Sequence, residues 1–237
     1  MKLTILMYHR VEEIPSGAAH PGNFVRPAQF REQLEALRDW GYRSIAFDEW
    51  LAYRGRGTAL PPRPLILTFD DGYRSIVDHA WPMVCAAGFR ATTFLVTGLM
   101  GGTNAWDPDE KQVPLLSADD VRALRREGMT FGSHTRSHRP LTRLPASAVR
   151  DELVSSRRDL EMLLDEPITT LAYPFNNQNR AVRAGARDAG YLTAVRGTGR
   201  MNRRSTDPLA LRRITVHSKM SIRDLWWRLA RERWLRM

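Results

Sequence analysis

Apolar and polar positions follow one another along this chain in short blocks, each about as long as one secondary-structure element. Residues 3–8 form an apolar run that reads as a buried strand. Residues 65–69, introduced by Pro61, Pro62 and Pro64, form a second, and they end abruptly in Asp70, Asp71 and Gly72. Further strands are predicted over 91–96, 129–133, 169–173, 192–195 and 211–216, with a short one over 42–47. Helical spacing separates them. Phe30, Leu34, Leu37 and Trp40 share one face of a helix that starts at Pro27 and stops at Gly41. Asp48 is placed to cap the next helix, and a third, over 74–87, buries Ile76, Ala80, Val84 and Cys85, with Pro82 as a kink and Gly88 as its end. Ser117 opens a fourth that Gly128 closes; a long fifth over 145–164 carries Val149, Leu153, Leu160 and Leu164, and a sixth spans 180–189. Strand, helix, strand is the order of a parallel sheet with outer helices, and the number of units favours a closed α/β barrel over an open sheet.

The totals narrow the class. At 237 residues the chain fits one α/β barrel domain, and no apolar run reaches the ~20 residues a membrane helix needs. The run after Lys2 is too short for a secretory signal and has no small-residue cleavage pattern behind it, so a cytoplasmic location is the expectation. With Cys85 as the single cysteine there is no internal disulfide and no cysteine cluster, and any metal must be held by histidines and carboxylates. Cys85 itself is assigned to the core.

The net charge of +10 is concentrated at the C-terminus, where residues 176–237 hold fifteen Lys and Arg against four Asp and Glu. Residues 218–237 are read as a basic helix docked on the barrel of residues 1–217. Ile222, Leu225, Trp226 and Leu229 make its apolar stripe, and Arg223, Arg228, Arg231, Arg233 and Arg236 its charge. Peripheral membrane contact through the arginines is a further expectation; nothing singles out nucleic acid.

In a barrel of this kind reactive groups collect where strands end and the following loops begin. His9, Asp70, Asp71, His134 and the segment from Pro174 to Asn176 all fall at such ends. Two adjacent carboxylates at the mouth of a buried strand need a cation or hydrogen-bond donors to offset their repulsion and lost hydration. Two histidines with one carboxylate suit zinc or a similar divalent ion and leave positions open for water and substrate. His134 and His138, four apart, are the histidine pair, and no Glu follows His134, so the metalloprotease pattern H-E-x-x-H is absent.

These residues resemble the polysaccharide deacetylases, the NodB-homology or carbohydrate esterase family 4. Thr68-Phe69-Asp70-Asp71-Gly72 is similar to the family's first motif, and the resemblance implies Asp70 as catalytic base and Asp71 as metal ligand. The segment from Ser133 to His138 matches the second, whose two histidines, here His134 and His138, complete the metal site. Tyr173-Pro174-Phe175 resembles the third, which implies the Phe175 backbone N–H as oxyanion donor. The usual Arg of that motif is replaced by Ala172, and Arg212 and Arg213 are the candidates to partner the base instead. The opening Leu6-Met7-Tyr8-His9-Arg10-Val11 looks like that of a circularly permuted branch that includes poly-N-acetylglucosamine deacetylases, which implies His9 as the acid in preference to His217. The fold implied is a deformed (β/α)7 barrel.

The expected reaction is hydrolysis of N-acetyl groups on an amino-sugar polysaccharide, oligosaccharide or precursor, with zinc, or else cobalt or nickel, as the metal. Trp106, Tyr173, Pro174 and Asn176 are candidate substrate contacts, with core packing the first reading for Tyr173 and turn formation an equal one for Asn176 and Asn177. His20, His79 and His217 are read as structural or solvent-facing. Two other functions stay open: a non-catalytic carbohydrate-binding relative, which the missing Arg encourages, and a deacylase of another amide or ester. A basic scaffold acting through its tail would leave the rim of acids and histidines unexplained.

Overall fold

The structure is a computed structural model that describes residues 1–234. Seven parallel strands close on themselves: β1 (Lys2–Tyr8), β2 (Pro64–Phe69), β3 (Ala91–Leu95), β4 (Thr130–Ser133), β5 (Thr170–Ala172), β6 (Thr193–Gly197) and β7 (Leu211–Thr215). Each pairs with the next in sequence, and β1 closes the ring by pairing with both β2 and β7. Two short strands extend the sheet, Arg43–Ser44 beside β2 and Asn202–Arg203 antiparallel to the start of β1.

Alternation along each strand divides the core in two. Leu3, Ile5, Ile66, Phe94, Ala172, Val195 and Leu211 fill the barrel interior, and Ile45, Phe47 and Trp50 complete that cluster. The opposite positions, among them Leu6, Tyr8, Leu67, Leu95, Leu171 and Ile214, pack outward under the helices. Gly132 belongs to the inner set because nothing larger fits: a Cβ there would lie 2.6 Å from the Phe94 ring and 2.5 Å from Thr170 Oγ1. The inward parity of Leu3 and Ile5 leads to His9, that of Ile66 to Asp70, that of Gly132 to His134 and that of Leu211 to Arg213. The same rule that fills the core thus sets four polar side chains at its mouth.

The helices are α1 (Pro27–Asp39), α2 (Phe47–Arg56), α3 (Trp81–Ala86), α4 (Ala118–Arg126), α5 (Ala146–Leu164), α6 (Arg180–Asp188) and α7 (Ile222–Trp234). Five sequence expectations change in detail. The strand over 42–47 shrinks to Arg43–Ser44, and Asp48 sits inside the first turn of α2, whose cap is Ala46 with its N–H bonded to Glu49. The helix over 74–87 is instead a π-helical turn, Ile76–Ala80, running into α3; Pro82 has no N–H to give, and the wider turn is closed by the bond from Trp81 N to Ile76 O. Cys85 is exposed and is no part of the core. On α7, Leu225 and Leu229 are buried but Trp226 is 43% exposed, so the stripe is narrower than its composition suggests. Gln29 of α1 donates to the carbonyls of Ser218 and Met220 just ahead of α7. Of the tail arginines, Arg236 and the side chain of Arg233 lie outside the described residues.

Candidate active site

The strand ends surround a cleft of about 590 Å³ whose wall includes His9, Asp70, Asp71, Trp106, His134, His138, Phe175 and Thr215. Asp70 continues β2 and bonds through its N–H to Tyr8 O at 2.9 Å. Asp71 turns left-handed, with φ 73°, and Gly72 follows at φ 74°. That break in the strand lets two neighbouring carboxylates face the same cleft instead of opposite sides of a sheet.

Asp71 Oδ1 lies 3.3 Å from His134 Nε2 and 3.3 Å from His138 Nε2, and one ligand atom from each residue falls within 4.8 Å of the others. All three residues are buried. His134 Nδ1 is 2.7 Å from the carbonyl of Ala172. A carbonyl only accepts, so Nδ1 carries the proton, and in the neutral ring Nε2 presents its lone pair. Asp71 Oδ1 is buried without a hydrogen-bond partner of good geometry. Lone pairs converging on a buried carboxylate oxygen are satisfied by a cation among them, and the donor set of two imidazoles and one carboxylate fits zinc. Burial pushes the Asp71 carboxyl up, yet the two imidazoles outweigh it and hold Asp71 well below the usual carboxylate range. Burial lowers both histidines; Asp70 and Asp71 reverse this at His134, whereas at His138 burial prevails.

The loop that carries both histidines is strained and braced. Thr135 and His138 have φ 67° and 59°. Glu152 of α5 accepts the N–H groups of Arg136 and Ser137 at 2.9 Å each and the Ser137 hydroxyl, and Ser133 Oγ accepts from Thr135 N at 3.0 Å. Trp106 and Phe175 flank the His138 ring, each with its centroid 4.6 Å away.

Asp70 is held from the other side. Arg213, fully buried, donates from Nη1 and Nη2 to the two Asp70 oxygens at 2.6 Å each, and Nη1 also reaches Thr68 Oγ1 at 3.1 Å. Burial would raise the Asp70 carboxyl, but Arg213 and His134 together leave it lowered. Of the two arginines that could replace the one absent at Ala172, the structure assigns Arg213. An arginine of β7 thus stands beside Asp70, although the position at Ala172 carries none.

Phe175 has φ 55° and Asn176 φ 57° in the turn after β5. The bonds closing that turn are donated by Asn176 N and Asn177 N, to Tyr173 O and Pro174 O. Asn176 uses its side-chain oxygen to accept from Gly197 N, and Asn177 accepts from Thr142, so both brace the turn. The Tyr173 hydroxyl donates to Leu209 O at 2.9 Å and its ring is buried. His9 lines the cleft with Nδ1 unpartnered, whereas His217 is not on its wall. His20 is there too, 3.5 Å from Asp107, a placement not anticipated because it depends on how the loop after β1 folds back. Arg10, of the same opening motif, is buried with its guanidinium over the rings of Phe24 and Tyr73.

Comparison with known proteins agrees with this geometry. The family model described as polysaccharide deacetylase matches residues 57–194. The Bacillus subtilis protein YxkH is 24% identical over 222 residues, covering 93% of this chain and 73% of that protein. A Staphylococcus aureus poly-beta-1,6-N-acetyl-D-glucosamine N-deacetylase is 24% identical over 164 residues, covering 65% of this chain and 54% of that protein, so the match spans about half of that relative's length. Among solved structures, the Streptococcus pyogenes deacetylase PplD in complex with acetate has a TM-score of 0.84 at 24% identity, covering 95% of this chain and 97% of that one. IcaB from Ammonifex degensii has a TM-score of 0.81 at 22% identity, covering 96% and 97%. These two likenesses concern the fold.

Proposed function

The chain belongs to the polysaccharide deacetylase family, and on that premise we propose that it hydrolyses N-acetyl groups on an N-acetylhexosamine-containing polysaccharide or its precursor, using a divalent metal. The observation that carries this reading is the buried Asp71, His134 and His138 cluster beside an Arg213-held Asp70 at the mouth of the barrel. The name of the Staphylococcus aureus relative supports an amino-sugar polymer as the substrate class.

Asp71, His134 and His138 would hold the metal, zinc in our reading. When bound, such an ion lowers the pKa of a water molecule and polarises a carbonyl. The remaining work falls to groups of this chain. Asp70, kept ionised by Arg213, takes the proton from the attacking water. The Phe175 N–H donates to the acetyl oxygen as negative charge develops there, a contribution of about 3 kcal/mol for such a donor. His9 gives a proton to the departing amine nitrogen. Trp106 and Phe175 wall the approach and exclude water from the His138 side.

The test is acetate release from N-acetylglucosamine oligomers by the purified protein, with chelator, with zinc or cobalt restored, and with Asp70→Asn in parallel. Release that needs metal and is lost in Asp70→Asn is the expected result. A protein that binds metal through His134 but releases acetate from no oligomer would move the reading to another amide or ester.

A further inference from the structure

A second, larger concavity of about 1000 Å³ opens between residues 196–212 and α7, and it shares no wall residue with the catalytic cleft. Arg196, Arg200, Arg203, Arg212, Arg228 and Arg231 line it. The acidic residue on its wall, Asp207, is met by Arg183 at 3.5 Å. Among the described residues no carboxylate pairs with any of those six arginines.

Two of the lining arginines form a cross-strand pair. Arg212 of β7 and Arg196 of β6 are register partners, one residue before the pair formed by Arg213 and Gly197. Arg213 points inward to Asp70, so Arg212 and Arg196 leave the sheet together on its outer face, their strands about 4.8 Å apart. Like charges side by side across strands destabilise a sheet. Arg196 Nε is also buried with no hydrogen-bond partner. The floor beneath is fixed: Asn202 accepts from Arg212 N at 2.7 Å and donates to Arg212 O at 2.8 Å. Arg228 reaches in from α7, its Nη1 3.7 Å from where a Cβ of Gly199 would stand.

We propose that this cleft binds the phosphate groups of an anionic ligand, with Arg196 and Arg212 as its cross-strand pair. Guanidinium forks pair bidentately with phosphate oxygens, and adjacent phosphates bring several negative charges within the span of two such forks, which single carboxylates do not. This chemistry has two sources, a soluble diphosphate and the headgroups of an anionic bilayer. Trp226 and Trp227, 43% and 56% exposed on α7 with rings 4.9 Å apart, suit the second.

Inorganic pyrophosphate is titrated into the full chain at low ionic strength, and the protein is separately sedimented with phosphatidylglycerol or phosphatidylcholine vesicles. Pyrophosphate binding identifies the soluble source; binding to phosphatidylglycerol vesicles alone identifies the bilayer. In either arm the double variant Arg196→Gln, Arg212→Gln weakens binding at least roughly tenfold, and Arg228→Gln weakens it less. Without ligand the double variant melts no lower than the parent, because a repulsive pair has been removed. No binding in either arm, or binding undiminished in the double variant, overturns the proposal.

Discussion

The Arg213 guanidinium grips the Asp70 carboxylate through two hydrogen bonds of 2.6 Å, with Arg213 fully buried behind it and Asp70 on the wall of the cleft. Asp70 comes from β2 and Arg213 from β7, the two neighbours of β1. The pair therefore spans the strand that leads to His9, and proposed base and proposed acid leave neighbouring strands at the same end of the barrel.

Replacing Arg213 by Leu leaves Asp70 as an unpaired buried charge. We expect a loss of about 3 kcal/mol in stability, measured by denaturant unfolding. Asp70 is depressed in the folded parent, so its contribution is present above the ordinary carboxylate range and is lost as pH falls through the folded value. Without Arg213 that value rises, and the acid limb of kcat/KM should move to higher pH. An unmoved limb in Arg213→Lys and Arg213→Leu alike would remove Asp70 from the role of base.

Metal binding and proton transfer separate by mutation. Metal-free protein should take up a single equivalent of zinc, and His134→Ala should abolish that uptake. Asp70→Asn should still bind zinc while kcat falls about a hundredfold or more. Equilibrium dialysis beside acetate assays distinguishes the two effects.

Glu152 touches no proposed reacting group, yet it braces the loop that presents both histidines. Glu152→Ala should weaken zinc binding about tenfold to a hundredfold with the barrel still folded, as loss of support behind metal ligands does elsewhere. Circular dichroism and dialysis give the two readouts.

Gly197→Ala tests the turn that carries the Phe175 N–H. A Cβ at Gly197 would stand 3.0 Å from Asn176 Oδ1 and 3.2 Å from Thr215 Oγ1, so the carboxamide must give by a few tenths of an ångström, which loosens its hold on the turn. We expect kcat to fall with KM and zinc affinity little changed, because the Phe175 donor acts where charge develops in the transition state.

Much of this protein is written locally in the chain. The apolar runs at 3–8 and 65–69, the helical stripe from Phe30 to Leu37 and the stops at Gly41 and Gly128 placed the elements, because period and punctuation are properties of neighbouring residues. The same local record put His9, Asp70, Asp71, His134 and Pro174 at strand ends. Closure of the barrel decided the rest. Alternation says that Arg212 and Arg213 point to opposite sides of a strand, but only the ring shows that Arg213 is the inner one, facing Asp70 more than a hundred residues earlier. His9 and His217 both follow strands, and the course of the chain after each strand leaves one in the cleft and the other off its wall. Cys85 and Trp226 looked buried by type and are exposed, since burial depends on what packs above a residue and the sequence around it does not carry that information.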